Sequence, residues 1–352
     1  MFVAWRDLKV AKGRFALIAV VVTLITILVT FLAGLTGGLA QQNISAITSL
    51  DADRIVFSDD QPPSYADSTV TQAQASVWER QDGVTAVDPL GISTARVSAE
   101  NQHETVTLFG GGPGTSDAKP PRRGHVELSA ETADALGVTE GDQVRIGEQS
   151  FVVDAVRGSS WYSHMPVANL DLRDWQGLAT RPGEPSPFAT VLAVSGDADH
   201  AAADAEAGTD STGVLASLTA LESFTSEIGS LLVMVGMLFG ISALVVGAFF
   251  TVWSIQRQPD VAVLKALGAT NRMLTFDALG QAAVVLLLGV TTGIGVTAVL
   301  GIAAGSALPF ILSPLTTVLP GLIMTVLGLA GAGLATRSIT RIDPLTALGS
   351  NR

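Results

Sequence analysis

Two carboxylates mark the stretch of the chain with the most chemical promise. Glu222 and Glu227 stand in Leu221-Glu222-Ser223-Phe224-Thr225-Ser226-Glu227-Ile228, just ahead of a run with no Asp, Glu, Lys or Arg before Arg257. A carboxylate at the edge of an apolar run can end a helix at the lipid–water boundary, or it can face a cation or a metal centre; the residues leave both readings open. As a ligand site, the stretch would draw aromatic contact from Phe224 and Phe31, with Met234 and Met237 as soft, weak thioether ligands further along the same run.

Other chemistries lack their residues. The chain has no cysteine, and His103, His125, His164 and His200 form no His-x-x-x-His or His-Glu-x-x-His pair. Each histidine reads as exposed or locally bonded. The glycines of Gly110-Gly111-Gly112-Pro113-Gly114 are followed by no Gly-Lys-Ser/Thr, so the group reads as a flexible turn rather than a phosphate loop. No serine lies in Gly-x-Ser-x-Gly, and the apolar runs hold no ionisable group for an intramembrane protease or charge-relay pump. A non-enzymatic chain is expected.

The elements that must position the glutamates are legible from where charge is missing. Apolar residues make up 48% of the 352 residues, charged residues 15%, and mean hydropathy is +0.44. No charge occurs between Arg14 and Asp51, between Glu227 and Arg257, or between Asp277 and Arg337. A helix rising 1.5 Å per residue crosses about 30 Å of hydrocarbon in roughly 20 residues, so the first two runs hold one span each and the third holds two. Pro309, Pro314 and Pro320 mark the turn inside the third run. The expected layout is an amphipathic helix over 1–14, spans at 15–40, 227–256, 278–308 and 318–336, a loop helix within 257–277, a turn at 309–317 and a tail at 337–352. The first apolar run is about twice the length of a signal-peptide core, so it reads as a retained span.

Charge sets the expected orientation. The short flanks carry ten basic and four acidic residues, whereas residues 41–227 carry 10 basic and 28 acidic ones. Basic flanks stay inside, which puts both termini in the cytoplasm and the acidic segment outside a cell membrane. A surface of that sign disfavours nucleic acid. Within residues 41–226, strands are expected at Arg54–Phe57, Val84–Val87, Ile92–Val97, Glu104–Phe109, Val126–Leu128, Gln143–Ile146, Phe151–Val156 and Thr190–Ser195, with short helices near Thr69–Arg80 and after Ser129. The pattern is that of a small, segmented α+β domain.

Gly34 and Gly38, Gly289 and Gly293, and Gly301 and Gly305 are small-x-x-x-small pairs, which let helices approach closely without saying which helices pair. Between the second and third runs, Pro259-Asp260-Val261-Ala262-Val263-Leu264-Lys265-Ala266-Leu267-Gly268-Ala269-Thr270 reads as a short amphipathic helix. Val261, Leu264 and Leu267 or Gly268 share a face, and Leu267–Thr270 forms the stop and restart. Trp5, Leu8 and Ala11 give the N-terminus an apolar side of its own. Each of these helices suits either the membrane interface or a docking surface for a cytoplasmic motor.

This loop, the tail Arg341-Ile342-Asp343-Pro344-Leu345-Thr346-Ala347-Leu348 and the Val126–Val156 segment together resemble the FtsX-like/MacB-like permeases of ATP-binding-cassette systems. The opening Met1–Leu8 and the compact size are most similar to haem-exporting members of that family. The resemblance implies four transmembrane helices in a one-plus-three layout and an extracytoplasmic α+β domain. It implies a homodimer in membrane lipid, carrying two copies of a separate ABC ATPase in which ATP and magnesium bind. The ATPase would couple through Pro259, Val261, Leu264, Lys265, Leu267 and Gly268. It further implies haem as transported substrate rather than a permanent cofactor, with Glu222 facing the iron or the propionates. A permease of the same build for a peptide, lipid or drug, and an ATPase-driven relay to a cell-wall hydrolase, are the competing readings.

Overall fold

The computed structural model describes residues 12–111, 121–183, 185–256 and 258–340. The N-terminal helix expected over 1–14, with Trp5, Leu8 and Ala11, falls almost wholly outside the described residues; so do the tail beyond 340 and the glycine turn beyond Gly111. The chain forms two compact units, Leu39–Gly229 and the remainder.

Among the described residues four helices are long and apolar enough to cross a membrane, so this is a multi-pass membrane protein. One precedes the β-rich domain and three follow it. Helix α1 (Lys12–Thr48) runs on past Ala40 into the domain unit. In the membrane unit its seam is with α9 (Asn271–Ala304). A Cβ on Gly289 would meet Val22 at 2.7 Å, and one on Gly293 would meet Thr26 at 2.6 Å. The closeness lets Thr30 Oγ1 and Thr297 Oγ1, both fully buried, share a hydrogen bond of 2.7 Å, while Thr23 Oγ1 donates to the Gly289 carbonyl at 3.2 Å. Helix α10 (Val318–Thr340) lies against α9 through Gly321 and Gly328, which accommodate Ile294 and Leu286. It meets α7 (Glu222–Gln256) where the backbones of Gly331 and Gly247 touch. Phe15, Phe250 and Trp253 stack edge-to-face at one end of this bundle.

The glycines of α1 serve a different partner. Gly34 and Gly301 leave room for the ring of Phe310, Gly38 for the Pro309 carbonyl, and Ile311 N–H donates to the Gly34 carbonyl at 3.1 Å. These contacts dock the proline-rich turn onto α1. Pro320 is the third residue of α10, where a missing N–H costs no helical bond.

The domain unit is one continuous sheet rather than the segmented domain expected. Its strands are β1 (Arg54–Ser58), β2 (Val84–Ala99), β3 (Gln102–Gly111), β4 (His125–Leu128), β5 (Gln143–Ile146), β6 (Gln149–Val156), β7 (Trp161–Tyr162), β8 (Met165–Leu170), β9 (Val191–Gly196) and β10 (Thr209–Gly213). Their order is β10-β1-β9-β2-β3-β8-β4-β6-β5, and β5 also pairs with β2 at Val97↔Ile146, closing six strands into a barrel. Strands β9, β1 and β10 extend from the first half of β2, and β7 lies off this order, paired with β8.

Thus Val84–Val87 and Ile92–Val97, expected as separate strands, are two halves of β2. Pro89 does not break it. Leu90 faces β9, and the N–H of Thr190, just ahead of that strand, donates to its carbonyl at 2.9 Å, so Pro89 points to the opposite edge, toward β3, whose described residues end at Gly111 opposite Leu90. Val97, Leu108, Leu128, Ile146, Phe151 and Leu170 fill the barrel, each at most 2% exposed.

Short helices close the gaps. Helix α2 (Gln72–Trp78) has the capping box Thr71–Gln74. Helix α3 (Ala130–Leu136) starts on Ser129 Oγ, which accepts from Thr132 N–H, and ends on Gly137 at φ +67°. Helix α4 (Leu172–Ala179) starts on Asp171, α5 (His200–Ala207) on Asp199, and α6 is Val214–Ser217.

Candidate functional site

The glutamates open α7 in different settings. Glu222 is the first residue of the helix and is exposed. It borders a cavity of about 550 Å³ that Tyr162, Leu221 and Ser223 also line. Among the described residues nothing bonds its carboxylate.

Glu227 is engaged. Its Oε2 lies 2.7 Å from His164 Nε2 and accepts from Asn43 Nδ2 at 3.2 Å. A carboxylate only accepts, so Nε2 carries the proton, and its 3.4 Å approach to Asn43 Nδ2 is a contact between two donors. Ser223 Oγ donates to Asn43 Oδ1 at 2.9 Å, and Ser163 Oγ to Ser223 Oγ at 3.0 Å.

The hairpin between β7 and β8 holds this cluster. Ser163 and His164 occupy the left-handed region at φ +50° and +62°, and their N–H groups donate to the Asn43 and Gln42 carbonyls. The end of α1, the start of α7 and the hairpin tip are therefore tied together. No spacing in the sequence foretells His164 or Asn43 here, because the chain must close over 63 residues to bring His164 to Glu227.

The other candidate residues fall in two environments. Phe224 packs against the buried cluster of Ile47, Phe57 and Tyr65. In the membrane unit, Phe31 stacks on Phe310 with centroids 5.1 Å apart, while Met234 and Met237 are 49% and 64% exposed on α7. Each unit thus gathers its own subset.

The loop helix is α8 (Gln258–Ala266). Gly268, at φ +96°, ends it by donating its N–H to the Lys265 carbonyl, and Ala269 N–H bonds the Leu264 carbonyl. Thr270 Oγ1 then caps α9. Val261 is buried, Leu264 and Lys265 are half-buried, and Val263 and Leu267 are exposed, Leu267 by 79%. Leu267 lies in the turn beyond the helix. Pro259 is the second residue of α8.

One span, a β-rich domain, three spans and a helical loop between the second and third spans make up this multi-pass membrane protein. Residues 232–344 match the FtsX-like permease C-terminal family. Over 99% of its length, the chain is 25% identical to a protein of Staphylococcus haemolyticus provisionally named the hemin transport system permease protein HrtB, again across 99% of that protein. It is also 25% identical, with 99% coverage of both chains, to an uncharacterized ABC transporter permease of Mycobacterium bovis. The periplasmic region of MacB from Actinobacillus actinomycetemcomitans aligns with 51% of this chain and 97% of its own at 13% identity, with a TM-score of 0.33. Residues 232–344 are thus an FtsX-like permease C-terminal region, and over its whole length the chain is similar to ABC transporter permeases. It is a permease partnered with an ATPase, and its role is transport rather than catalysis.

Proposed function

We propose that the chain is the membrane subunit of an ATP-driven pump that removes haem from the membrane. One observation carries the reading: the chain aligns from end to end with a permease named for hemin transport. The geometry is compatible. Glu222 stands exposed at the start of α7 beside a cavity, available to face iron or a propionate region, while His164 and Asn43 hold Glu227. Haem is flat and apolar and partitions into lipid, so entry from the side, through the outer leaflet, suits it. With the basic flanks inside, both termini and α8 are cytoplasmic, and the domain unit is outside. The exposed Val263 and Leu267, with Leu264 and Lys265 beside them, form the docking surface for the ATPase.

The permease works as a homodimer. In the most apolar stretch of α7 only 11% of residues are buried within the chain, against 33% in each other span. That leaves α7 to meet lipid or a second copy. The test is haemin titration of the purified full-length protein, read as the Soret spectrum. Glu222→Gln is expected to shift the Soret band and weaken binding about tenfold, equivalent to 1.4 kcal/mol. An unchanged spectrum and affinity when Glu222 and Glu227 are both replaced by Gln would remove the site.

A further inference from the structure

The cavity beside Glu222 does not end there. Along the Ile92–Thr94 stretch of β2 it meets a second cavity of about 1030 Å³, and the two share Tyr65, Thr94 and Arg181 in their walls. Together they form a groove across the domain unit, from Glu222 to the wall made by Trp175 and Phe188.

The groove is chemically unlike the rest of its domain. Residues 41–227 carry 28 acidic and 10 basic groups, yet among the described residues lining both cavities the formal charges are Arg181 and Glu222 alone. Tyr65 and Tyr162 add no charge at neutral pH, and burial pushes both phenols further above their ordinary range. The remaining lining mixes hydroxyls with apolar side chains. Such a surface repels neither an anion nor a flat apolar body, and each of its two cavities is about the size of a ligand site.

Its walls are preorganised. The Trp175 ring rests on Gly91 and Gly110, where a Cβ would stand 2.2 Å and 2.5 Å from it, and its Nε1 donates to Ser93 Oγ at 2.9 Å. The loop bearing Arg181 is tied at both ends to α4. Thr180 Oγ1 donates to the Gln176 carbonyl at 2.6 Å, and Gln176 Nε2 to the Phe188 carbonyl at 2.8 Å. A guanidinium carries five donors in a planar fork, so Arg181 can receive a carboxylate on one edge while another edge serves a protein partner.

We infer that this groove is a transit site for the substrate after it leaves the membrane boundary: it binds a planar, apolar dicarboxylate, with one carboxylate on Arg181 and the ring face along Thr94 and the Trp175 wall. The inference rests on the haem reading for its occupant, and the two separate experimentally.

The chain has no cysteine, so Thr94→Cys introduces a unique thiol on an exposed position shared by both cavities. The probe is metal-free protoporphyrin IX, which has no iron to capture the thiol. At ten times its Kd the porphyrin should slow maleimide labelling of Thr94→Cys about tenfold and leave Ala201→Cys, on exposed α5, unaffected. Arg181→Glu should abolish the protection, Arg181→Lys should retain part of it, and the dimethyl ester should protect poorly. Equal rates with and without porphyrin overturn the inference, as does protection that survives both Arg181→Glu and esterification. A haemin spectrum dependent on Glu222 without protection at Thr94 removes the groove alone; protection without that spectrum removes the boundary site and keeps the groove.

Discussion

At the scale of single residues, Trp175 shows how closely the domain is fitted. It is 3% exposed, and its seat is made of two glycines on neighbouring strands. A methyl group at Gly110 would fall 2.1 Å from the Trp175 Cβ, and neither a paired strand nor a helix start gives way cheaply. Gly110→Ala should destabilise the full-length protein by about 1–3 kcal/mol, read as a lower thermal midpoint. Asp88, on the half of β2 that pairs with β9, is a second case. Desolvation raises its pKa above the ordinary carboxylate value. The folded pKa lies above the unfolded one, so the ionised group opposes folding at neutral pH, and the penalty fades as pH falls through the folded pKa toward the unfolded value. Asp88→Asn should therefore raise the thermal midpoint at pH 7, with the difference from the parent protein shrinking in acid. A stabilisation independent of pH would point to some cause other than charge. Glu222 and Glu227 were legible from their place at the edge of an uncharged run. Their different settings were not, because the distinction depends on His164 and Asn43, which arrive from a hairpin and from the end of α1.

Among the elements, the glycine pairs show what spacing alone leaves open. Gly289 and Gly293 form a helix seam, as small residues four apart permit, but only the fold names α1 as the partner. Gly34, Gly38 and Gly301 instead make room for the Pro309–Phe310 turn. Strand β2 teaches the same lesson: Val84–Val87 and Ile92–Val97 read as two strands, and only the pairing with β9 and β3 joins them into one. The α1–α9 seam separates two contributions. Thr297→Val removes the bond to Thr30 but keeps the shape, and it should cost about 0.6 kcal/mol, the usual worth of a hydrogen bond between spans. Gly293→Val adds bulk 2.6 Å from Thr26, and should cost about 1–3 kcal/mol by overpacking. Denaturation of the full-length protein in mixed detergent should rank the glycine variant well below the threonine variant. Equal losses would mean that the hydroxyl pair, not the close approach, holds the seam.

For the whole molecule, charge-free runs announced four spans in a one-plus-three layout, because no soluble core needs apolar helices of that length. Which surfaces face other molecules was less legible, since apolar residues on α8 serve two purposes. Val261 and Ala262 are buried, at 7% and 3% exposure, whereas Leu267 projects 79% exposed from the turn that ends the helix. A side chain so exposed contributes little to this chain's stability, so its replacement tests docking rather than folding. An exposed leucine entering a partner's pocket is expected to lose more than 1.4 kcal/mol, a factor of about ten in affinity, when an aspartate takes its place. Leu267→Asp should thus sharply reduce ATPase copurifying with the permease and leave the thermal midpoint and the haemin spectrum of the isolated chain unchanged. Val261→Asp buries a charge within the membrane unit and should instead lower the midpoint itself. If Leu267→Asp keeps full ATPase binding, the α8 turn is an interfacial segment and the motor docks elsewhere.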